Sequence, residues 1–233
     1  MFTAEAAGLR WLKAAGGVAV VDVIEHSEHT IVLERLRTIP PTKHAAQAFG
    51  EALVMTHDGG ADAFGCAPAG FSGQSFISDL KMSTEPMPRW GSFFAAQRIL
   101  AYANPAQLGR DGMTVIEAVA ARLDAGVFDD DASPARLHGD LWSGNVLFTE
   151  NGVTLIDPSA HGGHRISDLA MLSLFGAPHL QVILEAYERS SAHLPANWRD
   201  LISLHQIYPL LIHAVLFGGH YPDSAVKLAK KYL

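Results

Sequence analysis

The stretch LHGDLWSGNVLFTENGVTLIDP, residues 137–158, is the part of the chain that best predicts its fold and chemistry. Its second half alternates apolar and polar residues on both sides of Asn151-Gly152, a dipeptide that favours the positive-φ turn of a tight β-hairpin. Such a hairpin would bring together four short polar side chains. They are His138, Asp140 and Asn145 on the loop that enters the first strand, and Asp157 at the exit of the second.

Three of these side chains carry oxygen atoms that suit a hard cation such as Mg²⁺. Asp140 and Asn145 are spaced as in the H-x-D-x-x-x-x-N catalytic loop of protein kinases, and Asp157 stands where those enzymes have the metal-binding Asp of D-F-G. In that chemistry one Asp orients the acceptor hydroxyl, while an Asn and a second Asp hold Mg²⁺ against nucleotide phosphates. Any one of these residues could merely cap a turn, but the whole set at this spacing favours a phosphoryl-transfer site.

Asp168, at the start of the helical run DLAMLSLF, is a further candidate. Its carboxylate could accept backbone N–H groups of the catalytic loop and hold that loop in shape. The alternative is an ordinary acidic residue at a helix N-terminus, stabilised by the helix dipole. The two interpretations are compatible.

Composition limits the classes of function. The 233 residues are 48% hydrophobic and 18% charged, which is typical of a folded globular chain. The net charge of −7 and the absence of a dense Lys/Arg run argue against a nucleic-acid or anionic-membrane partner. Cys66 is the only cysteine, as in many proteins of a reducing cytosol. With no signal-peptide pattern and no apolar run of about 18 residues, we expect a cytoplasmic protein.

The hydrophobic pattern predicts a short α/β segment followed by a larger, mostly helical part. We expect a helix over residues 3–14, two adjacent strands over 18–25 and 30–36, and a helix through 43–57 capped by Thr42. The remaining helical patterns follow a Gly/Ala/Ser-rich loop. A break near residues 37–42 separates the two parts.

The catalytic stretch, followed by LIDPSAHGGHRISDLAMLSLFG, resembles the fructosamine kinase (ketosamine-3-kinase) family of the aminoglycoside-phosphotransferase and choline-kinase group. FTAEAAGL, RWGSFFAAQRIL and YPLLIHAVLFGGHY are similar to further family segments, in the family's order. The resemblance implies an α+β, protein-kinase-like fold of two lobes. It also implies ATP and Mg²⁺ as cofactors, and phosphorylation of a sugar hydroxyl on a ketosamine (fructosamine or ribulosamine). That adduct is free or protein-bound, and in the family its phosphorylation leads to deglycation.

The resemblance also implies roles for the residues of the loop. Asp140 would be the catalytic base, His138 would brace the loop, and Asn145 and Asp157 would be the Mg²⁺ ligands. Trp142 would either line the sugar pocket or be a packed loop aromatic.

Nucleotide and substrate contacts follow from the same resemblance. The backbone from Glu34 to Leu36 would be the hinge that bonds adenine, and Glu5 would be the helix glutamate that pairs with an ATP-phosphate lysine. His161 and His164 occupy the activation-segment position. They could face the substrate or lie in a solvated loop.

The sequence departs from the family at its start, because no lysine-bearing strand precedes the helix of Glu5. We therefore expect residues 1–37 to be a truncated nucleotide-binding lobe and residues 38–233 to be the catalytic and substrate lobe. An open sheet edge in the first lobe would allow a homo-oligomer. The alternative function is a kinase-like protein that binds a small ligand or a partner without efficient catalysis, although the complete set of Asp140, Asn145 and Asp157 favours chemistry.

Overall fold

The computed structural model of the chain describes residues 1–233 and has an α+β architecture. Its α-helices, in chain order, are α1 (Phe2–Lys13), α2 (Lys43–Asp58), α3 (Trp90–Phe93), α4 (Ala101–Ala103), α5 (Gly109–Asp124), α6 (Ile166–Phe175), α7 (Leu180–Ser190), α8 (Trp198–His205), α9 (Ile207–Phe217) and α10 (Tyr221–Ala229). Its strands are β1 (Ala19–Val20), β2 (Val23–His26), β3 (Ile31–Leu33), β4 (Ser75–Ile77), β5 (Leu80–Met82), β6 (Ala135–Leu137), β7 (Val146–Thr149), β8 (Gly152–Leu155) and β9 (His161–Gly163). A π-helical segment, Phe94–Leu100, joins α3 to α4.

The predicted first strand, residues 18–25, is wrong as a single element. It divides into β1, which pairs in parallel with β8, and β2, which pairs antiparallel with β3. The division falls at Val21 and Asp22, where Val21 is buried and Asp22 is exposed. No glycine or proline marks the change of partner, so the β-branched run looks continuous in the sequence.

The hairpin predicted around Asn151-Gly152 is confirmed, with a different turn. Thr149 pairs with Gly152, so Glu150 and Asn151 form the two-residue loop and Gly152 is the first residue of β8. Gly152 has a φ of +107°, a conformation that glycine adopts without a steric cost. The Thr149 hydroxyl accepts from the Asn151 N–H and closes the turn.

The predicted helix cap at Thr42 is also confirmed. Its Oγ1 accepts a hydrogen bond from the Ala45 N–H (3.2 Å) at the start of α2. Farther along α2, the backbone of Gly50 lies directly against α7. A Cβ there would come within 2.4 Å of the Ile183 carbonyl oxygen. This close packing brings the last turn of α2 to the same buried region as α7.

The chain packs as two compact units, one of residues 1–86 and 133–194 and the other of residues 87–132 and 195–233. The first contains α1, α2, α6, α7 and all nine strands. The second contains the helix run from Trp90 to Ala103, α5 and α8–α10. The predicted lobe boundary between residues 37 and 38 lies inside the first of these units and stays a prediction.

The apolar run of residues 201–219 lies in two helices, because the helical run is interrupted at Gln206, between α8 and α9. The expectation that no apolar run reaches membrane-spanning length is wrong by composition. The combined stretch Trp198–Phe217 has 20 residues and is long and apolar enough to cross a membrane. About half of it is buried inside the fold, and core helices often have the same length and composition.

Candidate active site

The loop after β6 turns sharply at Gly139, between His138 and Asp140. Gly139 has a φ of +81°, and a Cβ at this position would lie 2.1 Å from the Ser159 carbonyl oxygen. Only glycine avoids both the steric cost and the collision. The loop backbone is therefore pressed against the segment that follows Asp157.

His138 connects the loop that carries Asp140 to the segment before Asp157. Its side chain is fully buried, and the Asp140 N–H donates to its Nδ1 (3.3 Å). Nδ1 is thus the acceptor, so Nε2 carries the proton and donates to the Ile156 carbonyl (2.9 Å). Burial lowers the pKa of His138, which favours this neutral form. The histidine ties the residue before Asp157 to the loop that carries Asp140.

Asn145 also joins these two segments, through hydrogen bonds of its side chain. Its Nδ2 donates to the backbone oxygen of Asp140 (2.9 Å), to the Asp140 carboxylate (3.2 Å) and to the backbone oxygen of Asp157 (3.2 Å). These bonds use the amide nitrogen of Asn145, so they do not occupy its side-chain oxygen. Asp157 itself has a φ of +50°, an uncommon backbone conformation for a residue other than glycine. The structure therefore brings together the residues that the spacing singled out.

Carboxylates crowd this site. Burial, and next the negative charge of Asp157, raise the pKa of Asp140 to about 7. The same two causes raise the pKa of Glu5 to about 7. Glu5 reaches this region because α1 packs closely at Gly8, where a Cβ would lie 3.1 Å from the Ala160 Cβ. Mutual repulsion of this kind is what a bound cation relieves.

The donor set fits Mg²⁺ that arrives with a nucleotide. No three His, Cys, Asp or Glu side chains are placed to hold a metal ion by themselves. Mg²⁺ in phosphoryl transfer takes only one or two protein carboxylates and completes its shell with phosphate oxygens and water. Asp157, the Asn145 amide oxygen and the neighbouring carboxylates would be the protein's part of such a shell.

Asp168 makes the hydrogen bonds that we expected of it. Its Oδ2 accepts from the His138 N–H (2.8 Å), and its Oδ1 accepts from the Gly139 N–H (2.9 Å). Its Oδ2 is also bonded to His57 Nε2 (3.2 Å). Burial opposes ionisation of Asp168, but the hydrogen bonds from His57 and Gly139 hold its pKa below the ordinary value. A buried carboxylate thus anchors the loop that carries Asp140.

The candidate substrate residues lie near the loop in different environments. Trp142 is 40% exposed, and its ring lies over Gly144, where a Cβ would come within 2.3 Å of the ring. His161 and His164 are buried on or next to β9, so the solvated-loop alternative is wrong. His161 Nδ1 bonds to the Ser159 carbonyl (2.8 Å), and His164 Nδ1 accepts from the Ile166 N–H (3.2 Å). A substrate contact for any of the three stays a prediction.

The predicted hinge, Glu34 to Leu36, follows β3 directly. The Glu34 N–H donates to the Asp22 carbonyl (2.9 Å) and is occupied. If this segment binds adenine, the Glu34 carbonyl and the Leu36 N–H are the groups that would do so. Their role stays a prediction.

Sequence reasoning missed several residues that support the site. His57 and Tyr187 are bonded to one another (2.7 Å) although 130 residues separate them in the chain. Arg136, on β6, donates to the backbone oxygens of Trp11, Gly59 and Gly60, and so ties α1 and the end of α2 to the strand that leads into the loop. A buried histidine or a strand arginine has no distinctive sequence spacing, so nothing short of the fold reveals these contacts.

Known proteins similar to this chain were identified by sequence and by structure. The sequence profile of a family described as fructosamine kinase matches residues 1–233. A "probable ketoamine kinase" of Klebsiella aerogenes is 34% identical, over 97% of this chain and 79% of the relative. A protein of the same description from Escherichia coli K12 is 31% identical, over 94% of this chain and 76% of the relative.

Solved structures give the same grouping. A crystal structure of a Thermobifida fusca protein assigned as a fructosamine-3-kinase has a TM-score of 0.90 and 41% identity, and the match covers 98% of this chain and 78% of that one. The choline kinase LicA of Streptococcus pneumoniae has a TM-score of 0.62 at 18% identity, over 98% of this chain and 79% of that one. At that identity the likeness concerns the fold alone, which is the one shared by protein-kinase-like small-molecule kinases.

Proposed function

This chain belongs to the fructosamine kinase family and is a kinase-like phosphotransferase, and we propose that it transfers the γ-phosphoryl group of ATP to a sugar hydroxyl of a ketosamine. Fructosamines and ribulosamines are the substrate class. The observation that carries the proposal is the hydrogen-bonded set of Asp140, Asn145 and Asp157. Asn145 joins the other two at distances of 2.9–3.2 Å.

Asp140 is the proposed catalytic base. A base works best when its pKa lies near the working pH, and burial together with Asp157 raises the pKa of Asp140 to about 7. Its carboxylate is held on one side by Asn145 Nδ2 (3.2 Å), and its backbone N–H is held by His138. The carboxylate can therefore orient an acceptor hydroxyl and accept its proton as the O–P bond forms.

Asn145 and Asp157 would hold Mg²⁺, which when bound neutralises the charge of the nucleotide phosphates. The chain's own residues supply position. His138 and Asp168 fix the loop backbone, and Glu5 on α1 adds a carboxylate beside Asp157. Glu34 to Leu36 would bind the adenine. Phosphorylation of the sugar would weaken the amine adduct and allow deglycation. A cytoplasmic location, free or protein-bound substrate and the oligomeric state all stay predictions.

The test is phosphate transfer measured by ³¹P NMR with ATP, Mg²⁺ and a small fructosamine such as fructosyl-glycine. Free fructose, choline and an aminoglycoside serve as competing acceptors, and Asp140→Asn is the inactive control. A new phosphate monoester on the fructosamine alone supports the proposal. Transfer to another acceptor would overturn the substrate class, and nucleotide binding without any transfer would favour the non-catalytic alternative.

A further inference from the structure

His57, in the last turn of α2, is fully buried and is bonded at both ring nitrogens. Its Nε2 lies 3.2 Å from Asp168 Oδ2, and its Nδ1 lies 2.7 Å from the Tyr187 hydroxyl. Arg165 Nη1 lies 3.4 Å from the same hydroxyl and 2.9 Å from Asp58 Oδ1. A continuous line of hydrogen bonds therefore runs from the partly exposed Asp58 to the carboxylate beneath the catalytic loop.

Arg165 and Asp168 determine which group donates in each hydrogen bond between them. A guanidinium can only donate and an ionised carboxylate can only accept. Arg165 therefore donates to the Tyr187 oxygen, the Tyr187 hydroxyl donates to His57 Nδ1, and His57 Nε2–H donates to Asp168. A neutral His57 satisfies every step, and burial lowers its pKa in the same sense. An imidazolium would instead direct a second donor at Tyr187 and leave the buried hydroxyl proton without an acceptor.

Resting on the proposed function, we propose that His57 is a positioning residue for phosphoryl transfer. Tyr187 holds its ring in the Nε2–H tautomer, and the ring in turn fixes the Asp168 carboxylate. That carboxylate holds the backbone N–H groups of the two residues before Asp140.

The geometry explains why the histidine matters to a loop that it does not touch. Oδ2 of Asp168 accepts from His57 Nε2 and from the His138 N–H, while Oδ1 accepts from the Gly139 N–H. Without the His57 donor, only the two loop amides hold the carboxylate, so the carboxylate and these amides can shift together. A displacement of about 1 Å at a reacting group costs on the order of 100-fold in rate.

The first measurement needs no activity. In ¹⁵N-histidine-labelled protein at pH 7.5, the His57 signal, identified by its loss in His57→Gln, should have the pattern of a neutral ring protonated at Nε2. A ring protonated at Nδ1, or an imidazolium, would overturn the proposal. Amide hydrogen exchange at His138 and Gly139 should be slow in the wild type and at least about tenfold faster in His57→Leu.

The second measurement is steady-state kinetics of matched variants. His57→Leu removes the donor, His57→Gln restores one near the Nε2 position, and His57→Asn is too short to reach Asp168. We expect kcat to fall about 10- to 100-fold in the Leu and Asn variants, with KM for ATP within about threefold, and to recover within about fivefold in the Gln variant. Tyr187→Phe should lie between the wild type and His57→Leu.

Thr56→Val is the control for general loss of stability. Thr56 precedes His57 on α2, and its hydroxyl accepts a buried bond from the Val18 N–H (2.9 Å) that has no link to Asp168. It should lower the melting temperature as His57→Leu does and leave kcat near the wild-type value. Equal kcat in these two variants, or a Gln variant as impaired as Leu, would overturn the proposal. If His57→Leu does not fold, the Asn and Gln variants make the same comparison. If the wild type phosphorylates no fructosamine, the proposed function fails while the tautomer and exchange results still test the positioning.

Discussion

Glu5 and Asp157 are close enough that the charge of Asp157 helps to raise the pKa of Glu5 to about 7. One lies on the first turn of α1 and the other follows β8, and they meet because α1 packs on Pro158 and Ala160 through Gly8. The ligand-free site therefore contains repulsion between like charges. This repulsion lowers the free energy of unfolding of the ligand-free protein, and the loss can be measured.

Replacement of Asp157 by Asn should stabilise the ligand-free protein and abolish its response to metal. Asn adopts a φ of +50° more readily than most residues, and the change removes the charge that repels Glu5 and Asp140. We expect a gain of about 1 kcal/mol in unfolding free energy at pH 8, measured by urea denaturation. The Mg²⁺-dependent thermal shift with ADP should disappear. A variant that is less stable and still responds to Mg²⁺ would move the metal site elsewhere.

Replacement of Asp140 by Asn should impair chemistry far more than nucleotide binding. General-base catalysis is worth about 10²- to 10⁴-fold in rate, so we expect kcat to fall by about that factor while KM for ATP changes less than about threefold. The amide keeps the size of the side chain. Initial rates of ADP release over a range of ATP concentrations give both quantities. A kcat near the wild-type value would remove Asp140 from the role of base.

Gly144→Ala decides between the two roles considered for Trp142. The added Cβ would come within 2.3 Å of the indole ring, which must therefore move. If Trp142 lines the sugar pocket, KM for the fructosamine should rise about tenfold or more in Gly144→Ala and in Trp142→Ala, with KM for ATP unchanged. If Trp142 is only a packed aromatic, both variants should lose stability and keep the KM for the fructosamine. Melting temperatures measured in parallel separate the two outcomes.

The pH dependence of stability should report the buried His57. Its pKa is lowered in the folded protein, so the folded state excludes a proton that the unfolded chain takes up below a pH of about 6.5. The stability that neutral His57 gives to the folded state is therefore present above that pH and is lost as the pH falls. Relative to His57→Gln, the wild type should lose up to about 1.4 kcal/mol per pH unit between pH 6.5 and the lowered pKa.

The comparison with the variant is necessary because other groups titrate in the same range. Glu5 and Asp140 have raised pKa values, so they favour the folded state as the pH falls and oppose the histidine. Four ionisable groups act on His57 itself: Asp168 and Tyr187 by direct hydrogen bonds, and Arg165 and Asp58 through their charges. Chemical denaturation of both proteins from pH 5 to 8 gives the difference. A difference that does not vary with pH would mean that His57 has its ordinary pKa.

The convergence of the candidate site residues could be predicted from the sequence better than the elements around them. Asp140, Asn145 and Asp157 were identifiable because chemistry imposes their spacing, and the alternating residues of β7 and β8 fixed their relative placement. The parallel pairing of β1 with β8 was not identifiable, because a two-residue strand has no periodicity. The bonds among His57, Tyr187 and Asp168 were equally hidden, since buried polar contacts are set by packing between distant segments and not by any local pattern.

The pairing of β1 with β8 has a consequence for the order of folding during synthesis. Ala19 pairs with Thr154, so the ribosome synthesises β1 roughly 135 residues before its partner strand. Contacts of such long sequence separation form late in folding, because a long loop must first be closed. The hairpin of β7 and β8 is local and can form as soon as it emerges. Glu5 is carried by the helix that precedes β1, so it should join the site only after this hairpin is complete, and a nascent chain released before Leu155 would lack the partner strand on which β1 docks.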